Sequence, residues 1–213
     1  MKEKLSAIRQ EYHHRSLDEK SIDKDPFRQL ETWLSDAIDA GLPEPNAMIL
    51  STISKKGGPS SRVVLLKGLS KEGLIFYTNY HSRKASELKA MPEASVVLFW
   101  PSLERQVRVE GKVAAVEPGM SDRYFAERPR NSQIGAWASP QSEVIPGREF
   151  LEERYKSFEM KFAGDKVKRP PHWGGYRLSP ASFEFWQGAP GRLHDRLVFE
   201  STDGIWAIKR LAP

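Results

Sequence analysis

The stretch AMILSTISKKGGPSSRVVLLK, residues 47–67, decides the fold. Two apolar, β-branched runs, Ala47–Ser54 and Ser61–Lys67, flank Lys55-Lys56-Gly57-Gly58, a composition that marks a turn. So short a connection joins antiparallel neighbours, because a parallel crossover needs a dozen residues or more. The pattern continues outward. Gly73–Asn79, Ala94–Trp100 and the long Gln106–Val116 read as strands, as do Gly174–Leu178, Ser182–Trp186, Arg196–Glu200 and Ile205–Arg210. Helices are expected between and before them. Asp25-Pro26 offers an N-cap with Pro at the first helical position. Phe27, Leu30, Leu34 and Ile38 then recur at helical spacing beside Trp33, and Gly41 stops the pattern. Ser82–Ala90, Ser121–Glu127 and the amphipathic Arg148–Phe162 are three more. The expected class is mainly β with flanking α, an antiparallel sheet closed into a barrel, since closure removes the edges of so many short strands. Residues 1–24 read as a mobile polar arm and 25–213 as a single domain.

The 213 residues suffice to bury a core without disulfides or metal. The absence of cysteine excludes a disulfide framework, a Cys-ligated zinc, an iron–sulfur cluster and a thiol nucleophile. A net charge of +5 and a pI near 9.3 mean either a solvated basic surface or an anionic partner. The cations fall in short separate clusters, which suits small phosphate-bearing ligands and not nucleic acid. No GxGxxG, GxxxxGK[ST] or HExxH motif occurs, so a phosphate must be held by side chains and no metal is expected. His13-His14 falls in the polar arm. Neither a secretory signal nor a membrane-length apolar run is present, and a soluble cytoplasmic protein is expected.

Four segments carry candidate chemistry. Arg62 and Lys67 end an apolar strand, and strict alternation would send them to opposite faces. Arg83 and Lys84 sit in the first turn of a helix, against its dipole; either an anion binds there or Ser82 is a plain N-cap. Tyr124 and Arg128 share a helix face, with Ser132 beyond Pro129; the trio suits a phosphate monoester, and equally a surface pair plus a loop serine. Last, the aromatic run Phe183–Trp186 enters a Gly/Pro turn and emerges with Arg192, His194 and Arg196 alternating on one face. Three cations side by side repel unless something anionic or electron-rich lies opposite.

That last segment, Glu184–Arg196, resembles the signature of the pyridoxamine 5′-phosphate oxidase family. The resemblance extends to RVVLLK at residues 62–67, Tyr77-Thr78, Ser82-Arg83-Lys84, LERQV at 103–107, PRNSQIGAW at 129–137, Gln141-Ser142 and the terminal Arg210–Pro213. It implies an FMN-binding antiparallel split β-barrel, homodimeric, with FMN at the subunit interface. Arg62, Arg83 and Lys84 are then expected to hold the FMN phosphate, with Gln141 and Ser142 from the partner chain. Val63, Val64, Leu65, Leu66, Lys67, Tyr77, Thr78 and Gln106 would line the flavin, and Trp186 and Arg196 would complete that site. For the substrate, the resemblance implies a phosphate clamp of Lys67, Tyr124, Arg128 and Ser132. Arg192 and His194 would be the catalytic pair over the pyridine ring, and Arg9 and Tyr12 a lid. The implied reaction oxidises pyridoxamine or pyridoxine 5′-phosphate to pyridoxal 5′-phosphate, with O2 as acceptor and hydrogen peroxide as product. The alternatives are a split-barrel flavoprotein of other specificity and a non-enzymatic pyridoxal phosphate carrier.

Overall fold

The structure is a computed structural model and describes residues 11–12 and 16–213. Arg9 and His13-His14 lie outside the described residues. The strands are β1 (Ala47–Ile53), β2 (Pro59–Leu65), β3 (Gly68–Ser70), β4 (Gly73–Asn79), β5 (Glu93–Trp100), β6 (Arg105–Ala115), β7 (Trp173–Gln187), β8 (Asp195–Thr202) and β9 (Ile205–Leu211). The helices are α1 (Pro26–Asp39), α2 (Arg83–Ala90), α3 (Pro118–Glu127), α4 (Arg130–Ala138) and α5 (Arg148–Lys161). The strands hydrogen-bond in the order β2-β1-β5-β6-β7-β4-β3, with β8 on β7 and β9 on β8. The β3–β4, β4–β7, β7–β8 and β8–β9 ladders are antiparallel.

Two expected strands, Gly174–Leu178 and Ser182–Trp186, are one. The first half of β7 pairs with β4 through Leu178, and the second pairs with β8 from Ser182 onward. Pro180 falls between these registers, where its missing N–H costs neither ladder a bond. The chain divides into two interleaved compact units. One comprises the described residues up to Ile49 with Ser95–Glu110 and Pro180–Pro213; the other comprises Leu50–Ala94 with Gly111–Ser179. No single point along the chain separates them.

In the first unit α1 starts as expected, with the Asp25 carboxylate accepting the Phe27 N–H at 3.0 Å. Its buried face, however, is Leu30, Trp33 and Ala37, and Ile38 is exposed. Trp33 meets Phe185 edge-on, and the Arg105 guanidinium stacks on its ring at 4.5 Å. Leu17 and Ile22, inside the stretch expected as a polar arm, are buried.

In the second unit, α4 is not among the helices expected from the sequence. Asn131, Ser132 and Gly135 give it little intrinsic helicity. Tertiary contacts form it: Ile134 and Ala138 are buried, and the Gln133 side-chain amide donates to the Phe125 carbonyl at the end of α3. Phe125, Ile134, Val167 and Trp173 make a small core there, with Tyr77, Tyr124 and Tyr155 packed against it.

Candidate active site

The second unit contains a cavity of ≈ 520 Å³ lined by Arg62, Val63, Val64, Leu65, Lys67, Tyr77, Thr78, Lys84, Tyr124, Arg128, Gln141 and Trp173. Eleven of these twelve were expected from the sequence; Trp173 was not. Arg62 and Lys67 line the same cavity and do not serve opposite faces of a strand. The reason is local: β2 ends at Leu65, so alternation stops before Lys67, whose N–H donates to the Ile75 carbonyl at 2.8 Å as the chain turns into β3. Leu66 is buried and off the cavity wall.

Two groups of cations occupy the lining. In the first, Arg62 is held by protein oxygens. Its Nη1 donates to Thr52 Oγ1 at 2.6 Å and to the Ser60 carbonyl at 2.8 Å, and its Nη2 donates to Ser60 Oγ and to Glu87 Oε2 at 3.0 Å. Glu87 is 3 % exposed and accepts also from Thr52 Oγ1 and Arg83 Nε. Lys84 Nζ donates to Thr78 Oγ1 and Gln141 Oε1, each at 3.1 Å. Burial, then the nearby Arg62 charge, pulls the Lys84 ammonium below its ordinary value. Ser82 is the N-cap of α2, accepting from the Ala85 N–H.

Two expectations change at this end. Gln141 was expected from the partner chain, but this chain's own Gln141 sits on its own Lys84 and Thr78, because the turn after α4 brings it back over β4. Arg83 is not on this wall. It faces a separate groove with Lys55 and Lys56, since neighbours on a helix project about 100° apart. Ser142 is exposed, with φ at 75°.

The second group is an aromatic stack with a cation on it. Tyr77 and Tyr124 stack at 4.0 Å, and Tyr77 and Trp173 at 5.4 Å, all nearly parallel. Arg128 caps α3, and its guanidinium lies 4.6 Å from the Trp173 ring centre. Arg128 Nη1 is buried without a hydrogen-bond partner. Ser132 is on the first turn of α4, its N–H bonded to Asn131 Oδ1, and does not line the cavity. Two glycines at the start of β7 allow close packing, Gly175 against this stack and Gly174 against Tyr80. A Cβ on Gly174 would stand 2.6 Å from Tyr80 Cζ, and one on Gly175 would stand 2.8 Å from Tyr77 Cε1.

The remaining expected residues belong to the first unit. Arg192, His194 and Arg196 do not alternate along one strand. Pro190–Arg192 is a single 3-10 turn with φ at 61° for Arg192, and β8 starts only at Asp195. The expected repulsion is relieved within the hairpin. Arg196 pairs directly across from Trp186 and diagonally meets Glu184, Nε to Oε1 at 2.9 Å. Glu184 also accepts from Arg108 at 3.2 Å. His194 Nδ1 accepts the Ala189 N–H, and its ring lies 4.7 Å from Trp186 and 5.1 Å from Tyr12. Tyr12 fits there because Gly188 has no side chain: a Cβ would stand 2.6 Å from Tyr12 Cδ1. Arg192 is exposed, and Gln106 is half-buried on β6. Among the described residues no helix is long and apolar enough to cross a membrane.

Family models match two parts of the chain: pyridoxamine 5′-phosphate oxidase over residues 34–162 and the pyridoxine 5′-phosphate oxidase C-terminal dimerisation region over residues 173–213. A solved structure of PhzG from Burkholderia lata, in complex with tetrahydrophenazine-1-carboxylic acid, superposes with a TM-score of 0.89 at 30% identity, covering 96% of this chain and 100% of that one. This likeness bears out the split-barrel class, and the dimerisation region marks a homodimer. The chain belongs to the pyridoxamine 5′-phosphate oxidase family, whose members imply a flavin cofactor. Curated relatives named pyridoxine/pyridoxamine 5′-phosphate oxidase include one from Paraburkholderia xenovorans, 52% identical over 98% of this chain and 99% of its own length. Another, from Synechocystis, is 51% identical over 98% of each chain.

Proposed function

We propose that this protein is an FMN-dependent oxidase that converts pyridoxamine 5′-phosphate and pyridoxine 5′-phosphate to pyridoxal 5′-phosphate. With the amine, water and O2 are consumed, and ammonia and hydrogen peroxide are released; with the alcohol, O2 is consumed and hydrogen peroxide released. The observation that carries this reading is Arg128 Nη1, a buried donor without a partner on the wall of a cavity that also holds Lys67. A buried, unsatisfied donor is costly, and an anionic ligand oxygen removes that cost.

The cavity's residues fit the cofactor. Arg62, Lys84, Thr78 and Gln141 would hold its phosphate, and Val63, Val64, Leu65 and Tyr77 would border its ring. Arg83, Leu66, Gln106, Ser142, Trp186 and Arg196 are proposed as further contributors, with the second subunit of the homodimer completing the site. FMN, when bound, supplies the acceptor for the hydride equivalent leaving the substrate. Lys67, Tyr124 and Arg128 grip the substrate phosphate, with Ser132 as a fourth member, so that binding energy remote from the reacting carbon fixes the ring's pose. Arg192 favours negative charge developing on the substrate, and His194 orients it or takes a proton. Arg9 and Tyr12 are proposed as further substrate contacts. The setting is proposed to be cytoplasmic.

The similarity to PhzG makes a tricyclic carboxylate the competing substrate class. Two cations and a phenol on one wall match a phosphate dianion better than a monoanion. The test is anaerobic addition of pyridoxamine 5′-phosphate to the FMN-loaded protein. Loss of the yellow flavin absorbance, then peroxide release on admitting air, is expected. A flavin that stays oxidised with both phosphorylated substrates overturns the reading, whether the protein is a carrier or acts on something else.

A further inference from the structure

Most of the described arginines are held by a carboxylate, Arg130 is held by backbone carbonyls, and Arg154 by a backbone carbonyl beside aromatic rings. Among the described residues Arg62, Arg83, Arg105, Arg108, Arg169, Arg177, Arg196 and Arg210 each face a carboxylate within salt-bridge distance. Arg128 faces none of the described carboxylates. Its guanidinium carbon lies over an indole, 4.6 Å from the Trp173 centroid and 5.7 Å from that of Phe125. Burial draws its pKa down, and Tyr124 partly offsets that. The difference matters for binding an anion. A carboxylate partner offsets part of the charge of an arginine and occupies part of its planar N–H fork. An aromatic face restrains the guanidinium from above and leaves the in-plane donors free.

Trp173 is built to do this. It is 7 % exposed, opens β7 opposite Asn79, and donates its backbone N–H to the Pro170 carbonyl. Its ring is also packed by Tyr77 and Tyr124, both within 7° of parallel, and by Phe125 edge-on at 5.2 Å. We propose that Trp173 is a positioning residue for anion recognition: it holds the Arg128 guanidinium by its π face, in place of a carboxylate, so that the full charge and the buried Nη1 donor are left for the phosphate of the substrate. This rests on the reading of Arg128 as a phosphate contact. It predicts that Trp173 acts on phosphate recognition specifically, beyond its share in packing.

The test compares dissociation constants of pyridoxal 5′-phosphate and phosphate-free pyridoxal, by calorimetry on the FMN-loaded protein, for wild type, Trp173→Phe, Trp173→Leu and Arg128→Ala. Arg128→Ala should lose most of the preference for the phosphorylated ligand. Trp173→Leu should lower that preference about five- to thirtyfold, the span of a desolvated cation–π contact. Trp173→Phe, with a smaller and weaker face, should fall between Leu and wild type. Should Trp173→Leu fail to fold, Trp173→Phe decides alone: a preference reduced about two- to fivefold supports the proposal, and an unchanged one overturns it. A merely structural role would weaken both ligands together and leave their ratio as in wild type, which also overturns it. Loss of preference in Arg128→Ala but not in the Trp173 variants refutes the Trp173 proposal alone. An unchanged preference in Arg128→Ala removes the phosphate-clamp reading on which it stands.

Discussion

Replacing Glu87 by Gln tests the polar network beneath the cavity. The Glu87 side chain is 4 % exposed and accepts from Thr52 Oγ1 at 2.6 Å, Arg62 Nη2 at 3.0 Å and Arg83 Nε at 2.8 Å. These three bonds are unequal. The Arg83 side chain is 66 % exposed, so water replaces its partner and the bond contributes at most about 0.5 kcal/mol. Thr52 is 2 % exposed and the Arg62 side chain 19 %, so their bonds to an ionised acceptor count nearly in full. A hydrogen bond to a charged group contributes about 1.5–3 kcal/mol and one to a neutral amide about 0.5–1.5, a difference of about 1 per bond. Glu87→Gln should therefore cost about 2–3 kcal/mol, including about 0.5 for an Arg62 charge left less well compensated. Urea unfolding at pH 7 measures it, and a double-mutant cycle with Arg62→Leu should return a coupling of about 1–2 kcal/mol. The pH dependence has a definite sign. Burial acts to raise the Glu87 carboxyl, but the bonds from Thr52, Arg83 and Arg62 outweigh it and leave it below 4.5. A carboxyl depressed in the folded state stabilises fully above its unfolded value, and that contribution is lost as pH falls through the folded one. The gap between wild type and Glu87→Gln should thus be widest near neutrality and shrink below pH 4.5. A Gln variant within about 0.5 kcal/mol of wild type at pH 7 would refute the network's role, as would a gap that persists in acid.

Gly174→Ala puts a methyl 2.9 Å from Ser121 Oγ as well as against the Tyr80 ring, and should destabilise by about 1–3 kcal/mol, read as a lowered Tm. Gly188→Ala displaces Tyr12 from its place beside His194. We expect its KM for the phosphorylated substrate to rise severalfold with little change in Tm; an unchanged KM would separate Tyr12 from substrate binding. Arg210 bonds Asp195, both Glu19 carboxylate oxygens and the Leu17 carbonyl. Arg210→Ala should speed hydrogen exchange at residues 17–20 while costing no more than about 1 kcal/mol globally, since the ion pairs are solvent-facing. Arg192→Lys keeps the charge but loses the planar fork, and should lower turnover about tenfold or more; near-normal turnover would take Arg192 out of the mechanism.

Most of the strands were legible because alternation along a strand is local, and the Gly73–Asn79 run matches β4 at both ends. What misled the reading was context. Alternation placed Arg62 and Lys67 on opposite faces, but the strand stops two residues short of Lys67. The row of Arg192, His194 and Arg196 looked like a strand because nothing in the sequence announces a positive φ at an arginine. Helix α4 has weak propensity and forms on burial of Ile134. Trp173 carried no chemical signal beyond the Gly174-Gly175 pair that follows it, which marks close approach of neighbouring groups.

The sequence by itself determined the antiparallel strand framework, the α1 cap at Asp25 and eleven of the twelve cavity-lining residues, the last through spacing and family resemblance together. The framework and the cap rest on periodicity, capping and side-chain chemistry, which act over a few residues; of the cavity lining, local reading singled out Arg62, Lys67, Lys84, Tyr124 and Arg128, and the family resemblance implied the other six. Only the tertiary structure decided how each cation is held. Arg62 is braced by Glu87, twenty-five residues away, and Arg196 by Glu184 across a hairpin. Arg128 is left open because the residue that reaches it from β7 is an indole and not a carboxylate. Charge pairing is a through-space property of the fold, and the order of residues along the chain does not encode it locally.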